Sequence, residues 1–110
     1  MKKDTQIFLK HIMGSIEYIE KYTRNETESR FMESPKTQDA VMRRLSIIGE
    51  AAKNIPPDIR KDHKNIEWKS IIGLKSILTH EYFGVDMQIV WHIVKRDIPI
   101  LKREILKMLK

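Results

Sequence analysis

Between Met87 and Met108 the apolar residues Met87, Trp91, Val94, Ile98, Leu101, Ile105 and Met108 advance in alternating steps of four and three. That spacing is one face of a long packed helix, and it leaves no room for a strand. The same period returns upstream. Phe8, Ile12, Ile16 and Ile19 predict a first helix from about Asp4 to Tyr22, and the polar stretch Thr23 to Glu33 interrupts it. Ser34 and Pro35 supply an N-cap and a first-turn proline for a second helix, whose face is marked by Val41, Leu45, Ile48, Ala52 and Ile55. Pro56 and Pro57 end it. Asp58 to Lys64 forms at most a helical turn before a third helix that starts near Glu67 or Trp68 and stops at Gly84 in a left-handed cap. Asp86 caps the fourth helix, which is expected to kink near Pro99. The expected fold is all-α, an antiparallel bundle of four or five helices forming a single domain over residues 1–110.

Composition narrows the chemistry. The chain holds no cysteine, which removes thiolate catalysis, disulfides and cysteine-ligated zinc and fits a reducing compartment. No run of about 18 apolar residues is present, and Met1-Lys2-Lys3-Asp4 leads into an amphipathic pattern without a signal core, so a soluble cytoplasmic protein is expected. With 21 Lys and Arg against 15 Asp and Glu, the net charge of +6 favours polyanionic partners such as RNA, although lysine-rich solvated helix faces produce the same balance. A bundle of 110 residues with an apolar stripe on every helix is small enough that self-association is expected.

The predicted third helix carries an unusual set of side chains. Lys75, Ser76, His80 and Tyr82 place a cation, a hydroxyl, an imidazole and a phenol within eight residues of an otherwise apolar pattern. Ser76 and His80 are neighbours at i, i+4, whereas Lys75 and His80 are five residues apart and so roughly 140° apart around an ideal helix. Either the lysine swings round or a second subunit completes the pocket. His80-Glu81 does not begin a zinc-protease motif, because Gly84 stands where a second histidine would be needed. Gly73-Leu74-Lys75-Ser76 lacks the glycine spacing of a phosphate-binding loop. His11, His63 and His92 lie in unrelated segments and read as surface or packing residues, and Arg43, Arg44 and Glu50 read as helix-surface groups able to line a basic groove.

The segment Lys75, four residues, His80, Glu81, Tyr82 resembles the signature of the HEPN domains, in particular the HepT-type ribonuclease toxins, whose motif is Arg, four to six residues, His, any residue, Tyr. Val41 to Lys53 resembles that family's second-helix block, Ile66 to Gly73 the approach to its active helix, and Trp91 to Leu101 its closing helix with the Asp97-Ile98-Pro99 break. The resemblance implies a HEPN-like helical fold and a homodimer or larger assembly. It also implies metal-independent RNA cleavage by attack of a ribose 2′-OH, without a cofactor. His80 would exchange protons, Lys75 would stabilise the phosphoryl charge and Ser76 would position the phosphate or the histidine, with Arg43 and Arg44 as RNA-binding candidates. It further implies a nucleotidyltransferase antitoxin that transfers AMP to Tyr82, as in a type VII-like toxin–antitoxin system. Lysine replaces the motif arginine, which exchanges a planar fork for a point charge. The alternative is therefore a non-catalytic helical module that pairs with such a nucleotidyltransferase.

Overall fold

The structure, a computed structural model, describes residues 2–80 and 84–110, with side chains described at 2–76 and 84–110. The chain runs through α1 (Lys3–Thr23), α2 (Glu28–Met32), α3 (Pro35–Lys53), α4 (Pro57–Lys61), α5 (Trp68–His80), α6 (Met87–His92), a π-helical turn (Ile93–Asp97) and α7 (Ile98–Met108). No strand occurs among the described residues, and the all-α bundle is the fold expected from the apolar period. No helix of the described chain is long and apolar enough to cross a membrane.

The helix starts follow local chemistry. The Ser34 hydroxyl accepts a hydrogen bond from the Thr37 amide at 3.3 Å and Asp86 accepts one from the Gln88 amide at 2.9 Å, so both predicted caps are made. Thr27 does the same for Arg30 at 3.2 Å and begins α2 inside the stretch expected to be an interruption. That short helix exists for one side chain. Phe31 is fully buried with its ring 5.2 Å from the ring of Trp91, and burying a phenylalanine contributes about 1.5–3 kcal/mol.

α3 is the central helix and packs against both α1 and α5. α1 and α7 run antiparallel, as the Gln6 amide donating to the Met108 carbonyl at 3.0 Å and the Lys102–Glu20 ion pair at 2.9 Å show from their two ends. The core between them includes Leu9, Ile12, Ile16, Leu45, Ile48, Leu101 and Ile105, all fully buried.

Three expectations need correcting. α3 stops at Lys53, so Ile55 is buried in the connection rather than in the helix, and Pro57 both follows that end and opens α4. No described glycine has a positive φ, so Gly84 is not the left-handed cap that was expected. The final stripe is interrupted not by a simple kink at Pro99 but by the π turn just before it, where the Ile98 amide donates to the Ile93 carbonyl five residues back. A proline ring crowds the carbonyl four residues before it, and widening the preceding turn relieves that crowding while keeping the buried stripe in register.

The loop before α5 is pinned from two sides. The Trp68 indole N–H donates to the carbonyls of Arg60 and His63, both at 3.0 Å. On α7 the largely buried Glu104 carboxylate takes Lys107 Nζ at 2.8 Å and His63 Nδ1 at 3.0 Å. These donors, Lys107 first and His63 next, hold the Glu104 carboxyl down to about 2. A carboxyl depressed in the folded state stabilises it above the ordinary carboxylate range, and that stabilisation is lost as pH falls from there toward 2. Glu104→Gln is therefore expected to lower the Tm at pH 7 and to shrink the difference in Tm between pH 5 and pH 2.5. Thermal melts of both proteins at the three pH values check it.

Candidate active site on the third long helix

α5 turns Ile71 and Leu74 into the core and leaves Lys75 and Ser76 on its exposed face. What fixes Lys75 in space is the way α3 crosses behind it. A Cβ added at Gly49 would stand 2.6 Å from the Lys75 backbone nitrogen, 3.0 Å from the Ile71 carbonyl oxygen and 3.1 Å from that of Ile72. Only a residue without a side chain lets the two helix backbones approach this closely.

The next residue on α3 uses that approach. Glu50 Oε2 lies 2.7 Å from Lys75 Nζ, with each side chain about half exposed (50% and 47%). The Lys75 hydrogen bond, helped by the lysine charge and more weakly by Lys53, holds the Glu50 carboxyl below the usual carboxylate range. The lysine therefore does not lie idle over apolar surface: its ammonium is held at the α3–α5 junction, beside Ser76. Glu50 had been read from the sequence as a helix-surface group. The signal that could have found it is its neighbour, since a glycine inside an apolar helical pattern costs about 1 kcal/mol and marks a close approach.

The two α3 arginines separate. Arg43 is exposed and shares the Glu50 face, seven residues away. Arg44 turns toward α1, with its guanidinium carbon 4.0 Å from the ring centroid of Tyr18. His80 is the last described residue of α5, so its backbone continues the helix that carries Lys75 and Ser76; its side chain lies outside the described part of the structure, and Tyr82 lies outside the described residues. Of the expected constellation, then, Lys75 and Ser76 stand together on one exposed face, and Arg44 stands apart from them.

The family model described as ribonuclease HepT-like matches residues 12–108, a span that contains every one of these positions. The chain belongs to the HepT-like ribonuclease family. A probable ribonuclease HepT of Thermococcus cleftensis is 44% identical over 110 residues that cover 100% of both chains. A gamma-glutamylcyclotransferase and candidate RNase of Methanocaldococcus jannaschii is 50% identical over 110 residues, which are 100% of this chain and 50% of that relative. This chain thus spans about half the length of that protein. Among solved structures, a chain from the complex of tri-AMPylated Shewanella oneidensis HEPN toxin with MNT antitoxin superposes with a TM-score of 0.75 over 98% of each chain at 20% identity. At that identity the likeness is one of fold alone.

Proposed function

We propose that this HepT-like protein is an endoribonuclease toxin that cleaves RNA through the 2′-OH, with His80, Lys75 and Ser76 as its reactive groups, and that AMP transfer to Tyr82 neutralises it. The observation that carries the proposal is the Lys75 ammonium, fixed 2.7 Å from Glu50 on the exposed face of the helix that also bears Ser76 and His80. A phosphate entering this face would meet a cation that the half-exposed Glu50 pair already orients, and would share it with that carboxylate as charge builds on the phosphoryl oxygens. The His80 imidazole accepts the 2′-OH proton while the 2′-oxygen bonds to phosphorus and the bond to the 5′-oxygen breaks. The leaving oxygen takes its proton from a second imidazole. A second copy of the chain supplies that group in a homodimer, because Lys75 and His80 lie about 140° apart on one helix and a twofold axis along the cleft would bring both sets together. No metal ion or cofactor enters these steps. Arg43 and Arg44 would contribute phosphate contacts on α3.

Regulation would act on the same segment. A nucleotidyltransferase partner would join the Tyr82 phenol oxygen to the α-phosphorus of ATP and release pyrophosphate, leaving a phosphodiester anion two residues from His80. That anion would compete with RNA for the Lys75 charge. Incubated with its cognate nucleotidyltransferase, Mg²⁺ and ATP, the wild-type protein is expected to gain one or more AMP units by intact-mass spectrometry, and Tyr82→Phe none. Equal adducts on Tyr82→Phe would place the modification elsewhere.

One observation favours a second function. Lysine stands where the resembled motif has arginine, and Glu50 already engages it, as in a module that keeps the fold and its nucleotidyltransferase partner but not the chemistry. An RNA cleavage assay on purified wild type and His80→Ala separates the two. Cleavage lost in the variant supports the enzyme, and none in either supports the binding module.

A further inference from the structure

The α1–α3 face carries a second group of RNA-compatible side chains, of which only the arginines entered the cleavage proposal, as phosphate contacts. Tyr18 is 45% exposed, with Arg44 over its ring at 4.0 Å and the Tyr22 ring 5.9 Å away at a 31° tilt. One turn before Tyr18, Gly14 sits in the middle of α1, and beyond its chain neighbours and its own turn of helix backbone no described atom lies within 4 Å of where a Cβ would stand. A mid-helix glycine costs about 1 kcal/mol relative to alanine, and no packing inside the described protein requires this one. The glycine instead keeps open a shallow hollow of about 230 Å³ against Tyr18, Arg44 and Ile47, rimmed by Lys10 and His11. A neighbouring hollow of about 270 Å³ is shared by Gly14 and Tyr18 with Lys21 and one carboxylate, Glu17.

We infer that this notch is a nucleobase-stacking subsite for single-stranded RNA, in which a base lies over Gly14 against the Tyr18–Arg44 pair while Lys10, Lys21 and Arg43 follow the backbone. The inference deepens the ribonuclease proposal and rests on it for the identity of the ligand. Exposed aromatics interleaved with cations accept any base by its face and the strand by its charge, and Glu17 adds an acceptor for a base amino group. The position suits a strand that also reaches Lys75. From Arg44 to Glu50 is six residues of α3, roughly 9 Å along its axis, and the exposed Arg43, next to Arg44 in the chain, lies on the Glu50 face. A second copy of this chain fits the notch less well, since a twofold contact would pair this face with itself, and among the residues lining the two hollows the cations Lys10, Lys21 and Arg44 outnumber the one carboxylate, Glu17.

The test is fluorescence anisotropy of the full chain with a labelled, fully 2′-O-methylated RNA oligonucleotide, which binds but offers no 2′-OH nucleophile. Tyr18→Ala is expected to weaken binding about 5- to 100-fold, the range of one lost stacking contact, and Tyr18→Trp to restore it. Gly14→Leu, which fills the notch, should weaken binding in the same direction. An abasic site walked along the oligonucleotide should reproduce the loss at one position in wild type and add nothing in Tyr18→Ala. Binding of Tyr18→Ala within twofold of wild type would overturn the subsite, as would a drop in oligomer size in Tyr18→Ala by sedimentation that accounts for the loss. No binding by wild type would overturn it too. Tyr18-dependent binding in a protein that does not cleave unmodified RNA would leave the subsite standing and sink the enzyme proposal; cleavage with unaltered Tyr18→Ala affinity would do the reverse.

Discussion

His80→Ala is expected to lower the rate of RNA cleavage by about 10²–10⁴-fold, the contribution of a positioned proton carrier, while binding of uncleavable RNA changes little. Among the side-chain types of the Lys75–Tyr82 cluster an imidazole is the one suited by its ordinary chemistry to proton exchange near neutral pH, so no neighbour is expected to take over its task. Lys75→Arg is expected to act in the opposite direction and raise the rate severalfold. A guanidinium has five N–H donors in a planar fork, so it can keep one contact to Glu50 and still offer a pair to a phosphate, which the ammonium, already spending one donor at 2.7 Å, does less well. Single-turnover rates on one defined oligonucleotide compare the three proteins. Equal rates in all three would point to a contaminating nuclease and remove the assignment.

Gly49→Ala is expected to be the most damaging small change in the bundle. Alanine improves helix propensity by about 1 kcal/mol, yet its methyl would have to fit 2.6 Å from the Lys75 nitrogen and 3.0 Å from the Ile71 carbonyl oxygen. Those are backbone atoms of a packed helix and cannot swing aside, so the helices must separate. Overpacking of this kind costs about 1–3 kcal/mol or more, and a net loss of about 2 kcal/mol lowers the Tm of a domain this size by roughly 10 °C. Gly14→Ala is the control, since its methyl meets open space and should raise the Tm by a few degrees. Equal shifts at the two positions would contradict the close α3–α5 approach on which the placement of Lys75 depends.

The long helices were legible because each buries a continuous stripe, and a stripe with period near 3.6 can be read from residue spacing alone. Ser34 and Asp86 were legible because a cap is a local event involving the next two or three residues. α2 was not, since its five residues contain a single buried side chain, Phe31, whose partner Trp91 is sixty positions away. The π turn escaped for a related reason: Pro99 announces a disturbance, but not which hydrogen-bond register absorbs it. His63 looked like a surface or packing residue and instead joins Lys107 on the buried Glu104, a contact that only the packing of α7 creates.

The candidate site divides along the same line. Lys75, Ser76, His80 and Tyr82 could be singled out because a motif is a property of adjacent positions, while the contacts of Lys75 with Glu50 and of α5 with Gly49 could not, because they arise where two helices cross. The Tyr18–Arg44 contact likewise joins residues that no spacing rule connects.

The central proposal, RNA cleavage by 2′-OH attack with His80 and Lys75 as reactive groups, is tested most directly by the ends it leaves. Wild-type protein and a single-stranded RNA oligonucleotide are incubated in EDTA, and the products are read by mass spectrometry beside an oligonucleotide carrying one 2′-deoxy residue at the mapped cleavage position. The expected result is a 2′,3′-cyclic phosphate on one fragment and a 5′-hydroxyl on the other, with the 2′-deoxy position resistant and His80→Ala inactive. Cleavage at the 2′-deoxy position, or products ending in a 5′-phosphate, would contradict it.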